Sequence, residues 1–249
     1  MEADAAAIEL RHVTKIFGSR KVLDDVCLAV PPGRGVCILG RSGTGKSVTL
    51  KHIVGLIKPD SGQVLVEGED ITSMSSRDLS RVRRRIGFLF QNAALFDSIS
   101  VGENVAFPLR RHTDLSDQQI RSRVRQLLAQ VGLEHEYEKM PADLSGGMRK
   151  RAGLARALAL EPAILLADEP SAGLDPVTAS EIDALLADLK TRSNTTLLVV
   201  THNVPSARVI ADEIVFLDRG QLIARGSPEA LDRSDLPLVR QFMTSQGAG

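Results

Sequence analysis

A glycine-rich segment limits what this chain can fold into. Residues 40–47 read Gly-Arg-Ser-Gly-Thr-Gly-Lys-Ser, which fits the pattern G-x-x-x-x-G-K-[ST]. An apolar run at residues 36–39 enters the segment and a helical pattern at residues 48–56 leaves it. Such a strand, loop and helix point backbone N–H groups at an anion on the helix N-terminus. The segment therefore predicts an α/β protein with a phosphate-binding loop, although a plain glycine-rich turn is the structural alternative.

The last two residues of this loop carry the side chains suited to a phosphate chain. Lys46 supplies a mobile cation for β- and γ-phosphates, and the Ser47 hydroxyl can join the coordination shell of Mg²⁺. Both predictions depend on the strand and the helix forming on either side of the loop.

A pair of carboxylates follows another apolar run. Asp168 and Glu169 come directly after residues 163–167, a run typical of a parallel strand buried on both faces. The carboxyl ends of parallel strands meet at one sheet edge, so this pair should lie beside the phosphate loop. We predict that Asp168 holds Mg²⁺ and that Glu169 orients or deprotonates the attacking water. The alternative is a solvated acidic turn before Pro170.

Two further polar residues end strand-like runs. His202 follows residues 195–201, and Gln91 follows residues 85–90. At the same sheet edge, the imidazole could contact the γ-phosphate or the water, and the amide could reach Mg²⁺. The sequence thus predicts Lys46, Gln91, Glu169 and His202 as catalytic residues and Ser47, Gln91 and Asp168 as metal ligands.

The peptide at residues 144–148 reads Leu-Ser-Gly-Gly-Met. Ser145 can cap a helix whose first amides, at Gly146 and Gly147, remain open to an anion. Alone, the peptide could be a helix start without a ligand. Its position between the phosphate loop and the carboxylate pair favours a protein that turns over ATP.

Together these segments resemble the ATP-binding subunit of an ABC transporter over about residues 8–227. The resemblance implies an α/β P-loop NTPase of ABC type, with a mixed sheet core, an inserted α-helical subdomain and an N-terminal antiparallel β portion. It also implies that two copies pair head to tail around ATP and Mg²⁺, with residues 144–148 of one copy facing the γ-phosphate on the other. Phe17 would stack on adenine, and Asp175 would belong to the D-loop at residues 171–175. The nucleotide-binding residues implied are Phe17, Gly40, Arg41, Ser42, Gly43, Thr44, Gly45, Lys46, Ser47, Val48, Leu144, Ser145, Gly146, Gly147, Met148 and Asp175.

The same resemblance divides the chain into parts of one ABC ATPase domain, residues 1–249. The nucleotide-binding core comprises 1–91 and 163–227, the helical subdomain 92–162 and a helical tail 228–249. Residues 92–109 would receive the membrane subunit, although Phe96, Val101, Val105 and Phe107 could equally pack inside. The patterns also predict a helix with a capping box at Ser116 and Gln119 and another capped by Thr178 and Glu181.

One departure from the commonest ABC signature narrows the resemblance. Met148 stands where a Gln is usual and offers no amide for hydrogen bonding. This variant, together with the peptides at 90–97, 104–110, 149–152 and 239–242, resembles the phospholipid transporters of the Mla/Mce type. That branch implies a membrane permease, an Mce-type lipid-binding subunit and a small regulatory subunit. The alternatives are the ATPase of a small-solute importer, such as one for amino acids, and a soluble ABC ATPase outside transport.

Composition argues against membrane-spanning, nucleic-acid-binding and secreted proteins. Uninterrupted apolar runs reach only five residues, whereas a membrane span needs about 20. The 31 basic and 31 acidic residues create no excess charge for nucleic acid. The first seven residues lack a secretory pattern, and Cys27 and Cys37 fit buried reduced thiols. With the transporter resemblance, these features imply a peripheral protein on the cytoplasmic face of the inner membrane, held there by partner subunits.

Overall fold

A computed structural model describes residues 6–245, leaving residues 1–5 and 246–249 outside the description. The strands are β1 (Ile8–Phe17), β2 (Arg20–Val30), β3 (Gly35–Leu39), β4 (Ser61–Val66), β5 (Glu69–Asp70), β6 (Ile86–Leu89), β7 (Ile164–Asp168), β8 (Thr196–Thr201), β9 (Glu213–Asp218) and β10 (Gln221–Gly226). The helices are α1 (Lys46–Ile53), α2 (Ser76–Arg83), α3 (Val101–His112), α4 (Asp117–Gln130), α5 (Gly146–Ala157), α6 (Pro176–Ser193), α7 (Val204–Ile210), α8 (Pro228–Asp232) and α9 (Pro237–Ser245).

The strands form two sheets. The first is antiparallel, in the order β2-β1-β4-β5, and contains most of the N-terminal strands, as predicted. The second has the order β10-β9-β3-β8-β7-β6, in which β10 is antiparallel and the other neighbours are parallel. The α/β fold with a mixed sheet is therefore confirmed.

The parallel strands of the second sheet position the functional loops. Every residue of β3, β7 and β8 is buried, because helices and the first sheet cover both faces. The strands run in the same direction, so β3, β6, β7 and β8 all end at one edge. This arrangement brings the segments that follow them in the sequence to one side of the molecule.

Helices α3, α4 and α5 pack on one another beside the second sheet. The predicted capping box is present: the Ser116 hydroxyl accepts from the Gln119 N–H, and the Gln119 side chain accepts from the Ser116 N–H. The apolar stripe of α4 is buried in the core, and Gly132 follows the helix with φ 69°. The subdomain boundaries that we predicted from sequence remain predictions.

Two sequence-based expectations are wrong. Helix α6 is capped by Asp175, not by Thr178, because Pro176 can occupy the first helical position and the Asp175 carboxylate accepts the next free N–H groups. Cys27 is exposed, unlike Cys37, because it lies between the inward-facing Val26 and Leu28 of β2 and successive side chains alternate across a strand.

The C-terminal segment covers the core of its own chain. Val239 and Met243 on α9 are buried, and the ring of Phe242 packs edge-on against Phe216 of β9. Within residues 6–245, no helix has the length and apolar character needed to span a membrane.

A buried amide holds the loop before α3. Asn104 is fully buried; its Oδ1 accepts from the Phe96 N–H at 2.7 Å, and its Nδ2 donates to the carbonyls of Phe96, Ile99 and Ser100. We expect Asn104→Ala to lower the free energy of unfolding by about 2–4 kcal/mol, because several backbone groups lose their partner. Urea denaturation measures the change. Asn92→Ala, at an exposed position, is the control, and equal stability of the two variants would contradict the prediction.

Candidate active site

The phosphate-loop segment connects β3 to α1 and needs glycine at several positions. Gly43 and Gly45 have φ values of 78° and 110°, in the region that side chains disfavour. A Cβ at Gly45 would lie 2.8 Å from the Val22 carbonyl oxygen, and one at Gly40 would lie 2.3 Å from the Leu217 carbonyl oxygen. These close approaches explain why the loop has no side chains at those positions.

The N-terminus of α1 is suited to an anion. In the described chain, no side chain caps this end and no acidic residue lies in its first turn. The first N–H groups of α1 therefore have no side-chain acceptor, and they face the loop together with the positive end of the helix dipole. The buried Lys46 places its Nζ 2.8 Å from the Gly40 carbonyl oxygen and 3.1 Å from that of Arg41. A cation and a helix terminus therefore converge on the loop.

The candidate metal ligands Ser47 and Asp168 lie together. The Ser47 hydroxyl donates to Asp168 Oδ1 at 2.8 Å. Adjacent oxygen ligands in an octahedral Mg²⁺ shell are about 3 Å apart, so this hard oxygen pair fits the ion. Burial raises the pKa of Asp168, and the hydrogen bond from Ser47 partly opposes that change.

The Glu169 carboxylate is held from two sides. Its Oε2 accepts from the Thr201 hydroxyl at 2.9 Å and from the His202 N–H at 3.3 Å. Its Oε1 lies 3.0 Å from His202 Nδ1 and 3.6 Å from Lys46 Nζ. Glu169 is buried, whereas 47% of the His202 side chain is exposed. The pair can therefore present one fixed carboxylate and one accessible imidazole to a reacting group.

An open cleft of about 440 Å³ joins these groups. Gln91 and His202 line it beside the phosphate loop, and Phe17, which is about half exposed, lies at the end of β1. Lys15 Nζ lies 5.4 Å from the centroid of the Phe17 ring. The structure therefore brings the predicted aromatic, phosphate-binding and catalytic residues to one place.

Sequence reasoning missed three residues here: Arg20, Val22 and Thr201. Arg20 lies opposite Phe17 in the β1–β2 hairpin, and its guanidinium donates to the Gly43 carbonyl at 2.7 Å. The two-residue Gly18-Ser19 link after Phe17 is the signal that could have placed Arg20 there. Thr201 could have been found as the last residue of the strand that ends before His202.

The peptide at residues 144–148 does not line this cleft. Ser145 caps α5 by accepting from the Met148 N–H at 3.2 Å, and Ser145 and Gly146 are exposed. Leu144 is buried, and Met148 packs against the apolar core. The start of α5 is therefore exposed to solvent outside the cleft that contains the phosphate loop.

Asp175 is also separate from the cleft. Its carboxylate accepts from the N–H groups of Val177 and Thr178, and the interactions with Thr178 and the backbone lower its pKa. In this chain its visible role is to cap α6.

The fold and the loop geometry are those of a P-loop nucleotide-binding protein. The model of the ABC transporter family matches residues 23–172, and the chain belongs to this family.

Known relatives span nearly the whole chain. The chain is 46% identical over 243 residues to a probable ribonucleotide transport ATP-binding protein, mkl, of Mycobacterium leprae, covering 98% of this chain and 70% of that protein. It is 42% identical over 239 residues to the intermembrane phospholipid transport system ATP-binding protein MlaF of Escherichia coli K12, covering 96% and 89%.

Solved structures of ATP-binding cassettes have a fold similar to that of this chain. The dimeric post-hydrolysis state of the ATP-binding cassette MJ0796 bound to ADP and Pi matches with a TM-score of 0.83 and 34% identity, covering 88% of this chain and 98% of that one. The cbiO1 structure from Clostridium perfringens matches with a TM-score of 0.82 and 29% identity, covering 97% and 99%. The chain is accordingly an ATP-binding ATPase subunit of an ABC transporter, as the sequence predicted.

Lys46→Ala should weaken ATP binding by roughly 10- to 100-fold, because a charge-assisted contact to phosphate contributes about 1.5–3 kcal/mol. Titration with a fluorescent ATP analogue measures the dissociation constant. Lys58→Ala, which removes an exposed lysine beyond the end of α1, should bind like the parent. Unchanged affinity in Lys46→Ala would contradict the role of Lys46 in binding.

Proposed function

We propose that this ATPase subunit powers phospholipid transport in the bacterial cell envelope, from the cytoplasmic face of the inner membrane. The observation that carries the proposal is the match to MlaF of Escherichia coli and Haemophilus influenzae at 41–42% identity, covering 89–92% of those proteins. The Met148 form of the signature supports the same branch. The described residues include no membrane-spanning helix, so a permease subunit would provide the attachment.

Ribonucleotide transport is the second candidate. The mycobacterial mkl relatives are slightly more identical, at 45–46%, but the chain spans only 68–70% of their length. The match to MlaF extends over nearly the whole length of that protein, which favours phospholipid over ribonucleotide transport. The transported substrate need not touch this chain in either case, so the residues of the cleft do not discriminate between the two.

Two copies would form the working ATPase. In one chain, the start of α5 lies outside the cleft that contains the phosphate loop, so a head-to-tail pair would let Ser145 of each copy face the other's nucleotide. The dimeric state of MJ0796 supports this pairing. Nucleotide would then hold the pair closed, because its phosphates contact both copies only in the closed state.

Each residue of the cleft would have a separate role in ATP hydrolysis. Lys46 would bind the β- and γ-phosphates, and Glu169 would orient the attacking water and accept its proton. His202 would hold Glu169 and contact the γ-phosphate. Ser47, Asp168 and Gln91 would hold Mg²⁺, which neutralises phosphate charge when bound. Loss of the terminal phosphate would remove the link between the two copies.

A groove lined by apolar side chains and by the basic Arg83, Arg84, His112 and Arg156 would receive the permease. Phe96 and Phe107 are exposed with ring centroids 4.9 Å apart, whereas Val101 and Val105 are buried. The aromatic pair therefore belongs to the surface and the valines to the interior. A groove of about 450 Å³ beside the pair includes Phe90 and Ala94, on either side of Gln91 in the sequence. Movement of a docked segment could thus be transmitted to the cleft.

Purification from native membranes in gentle detergent tests the proposal. Recovery of a permease with an Mce-type subunit, and ATPase activity that increases with phospholipid, would support it; a small regulatory subunit could accompany them. Recovery of a permease with a solute receptor, or stimulation by ribonucleotides alone, would replace phospholipid as the substrate. Recovery of nucleic acid or ribosomes without a membrane subunit would contradict the transport proposal.

Phe107→Glu should abolish co-purification of the permease while the isolated chain keeps its basal ATPase rate. A carboxylate in the groove must be desolvated when a partner covers it. Leu56→Glu, at another exposed apolar position, is the matched control and should retain the permease. Equal recovery of the permease with both variants would place the docking surface elsewhere.

A further inference from the structure

Lys150 is a buried cation that touches the catalytic segment. It lies on α5, five residues after Ser145, and only 6% of it is exposed. Its Nζ donates to the backbone carbonyl of Glu169 at 2.8 Å. Lysine is almost never this buried without a specific partner. The Glu169 carbonyl is that partner, so Lys150 is tied to the segment that carries the predicted catalytic base.

The backbone of Glu169 has an unfavourable conformation. Its φ is 48°, in the left-handed region that costs a residue with a side chain about 1–2 kcal/mol. The Glu169 N–H donates to the Val200 carbonyl at 2.9 Å, and its carbonyl accepts from the Ala172 N–H at 3.2 Å as well as from Lys150. The direction of the carboxylate depends on this conformation, which the three contacts stabilise.

A buried acid lies near this cation. Asp183 of α6 is buried, and burial raises its pKa. Hydrogen bonds with Ser206 and Ser171, and to a smaller extent the charge of Lys150, oppose that change. Burial lowers the pKa of Lys150, whereas the carboxylates of Glu169, Asp168 and Asp183 act in the opposite direction. The cation is therefore electrostatically tied to the catalytic strand and to α6.

The same helix reaches a second functional segment. Arg156, near the end of α5, donates to the carbonyls of Ala93 and Ala94 at 2.8 and 2.7 Å, close after Gln91. One rigid helix thus carries Ser145 at its start, holds Glu169 through Lys150 and holds the segment after Gln91 through Arg156.

We propose that Lys150 is a positioning residue for ATP hydrolysis. Its bond to the Glu169 carbonyl sets the direction of the Glu169 carboxylate and makes that direction depend on the position of α5. The inference rests on the proposed role of Glu169 as the group that orients and deprotonates water.

Lys150→Met and Lys150→Arg test this role. Lys150→Met should lower kcat at least about tenfold, because small displacements of a catalytic group have effects of that size. Its KM for ATP and its affinity for an ATP analogue should stay within about twofold, because the phosphate loop is untouched. Its melting temperature should fall, because the Glu169 carbonyl and the buried Asp183 lose their cationic partner. Lys150→Arg keeps a cationic donor and should recover most of kcat.

Arg151→Met is the matched control. Arg151 is the next residue on α5, but its guanidinium contacts the Val131 carbonyl and Glu181 and not Glu169. This variant should keep the parental kcat. If it loses as much kcat as Lys150→Met, the effect comes from disturbing α5 in general, and the inference is overturned.

A double-mutant cycle separates this inference from the proposed function. In a Glu169→Gln background, assayed at high enzyme concentration, Lys150→Met should cause no further loss of kcat. Two outcomes would overturn the role of Lys150 and leave that of Glu169 intact. One is a full additional loss of kcat in the double variant; the other is parental kcat in Lys150→Met while Glu169→Gln is inactive. Parental activity in Glu169→Gln would instead overturn the proposed role of Glu169, and the inference with it.

Discussion

Glu169→Gln should lower the rate of ATP hydrolysis at saturating ATP by about two to four orders of magnitude, the usual contribution of a general base. The amide keeps the shape of the side chain and can still contact Thr201 and His202, but it cannot accept the proton of the attacking water. Binding of ATP should be nearly unchanged, because Lys46 and the phosphate loop are untouched. The variant should therefore accumulate as an ATP-bound closed dimer.

Phosphate release and size-exclusion chromatography with ATP and Mg²⁺ measure the two effects. Glu134→Gln, a partly exposed glutamate outside the cleft, should behave like the parent in both. Hydrolysis at the parental rate in Glu169→Gln would show that another group orients or deprotonates the water.

Ser145→Asp should abolish hydrolysis, whereas Ser145→Asn should retain much of it. Aspartate and asparagine both cap helices as well as serine does, so the stability of α5 should change little in either variant. They differ in charge: the carboxylate would repel the γ-phosphate that the first turn of α5 is proposed to meet on the second copy. Steady-state ATPase assays compare the two, and equal rates would argue against an anion at this position.

Mixing two impaired variants, at an ATP concentration that leaves Lys46→Ala largely unoccupied, tests whether the site is shared between copies. Lys46→Ala and Ser145→Asp chains, mixed in equal amounts, form heterodimers in which one of the two sites has an intact phosphate loop and an intact signature. If the sites act independently, about a quarter of the parental rate should return, because about half of the dimers are mixed. No recovery on mixing would indicate that Ser145 acts within its own chain or that both sites must be intact.

Much of the candidate site could be predicted from sequence because its residues follow local signals. The phosphate loop lies within a strand-loop-helix junction, and Asp168, Glu169 and His202 lie where buried strands end. The catalytic and ligand roles of these residues remain predictions that the variants above test. The wrong cap at Thr178 has a local cause, since Asp175 and Thr178 are both capping residue types and only Pro176 distinguishes them.

The α/β class, the phosphate loop and the family resemblance could all be predicted from the amino-acid sequence, because glycine conformations, apolar periodicity and short motifs depend on neighbours along the chain. The folded chain was needed to show that Lys150 contacts Glu169, that Arg20 contacts Gly43 and that Phe107 is exposed while Val105 is buried. These facts depend on how α5 packs on the sheet, how two strands pair and which face of α3 is covered. Such contacts join residues that are far apart in the sequence, so a local sequence pattern cannot predict them.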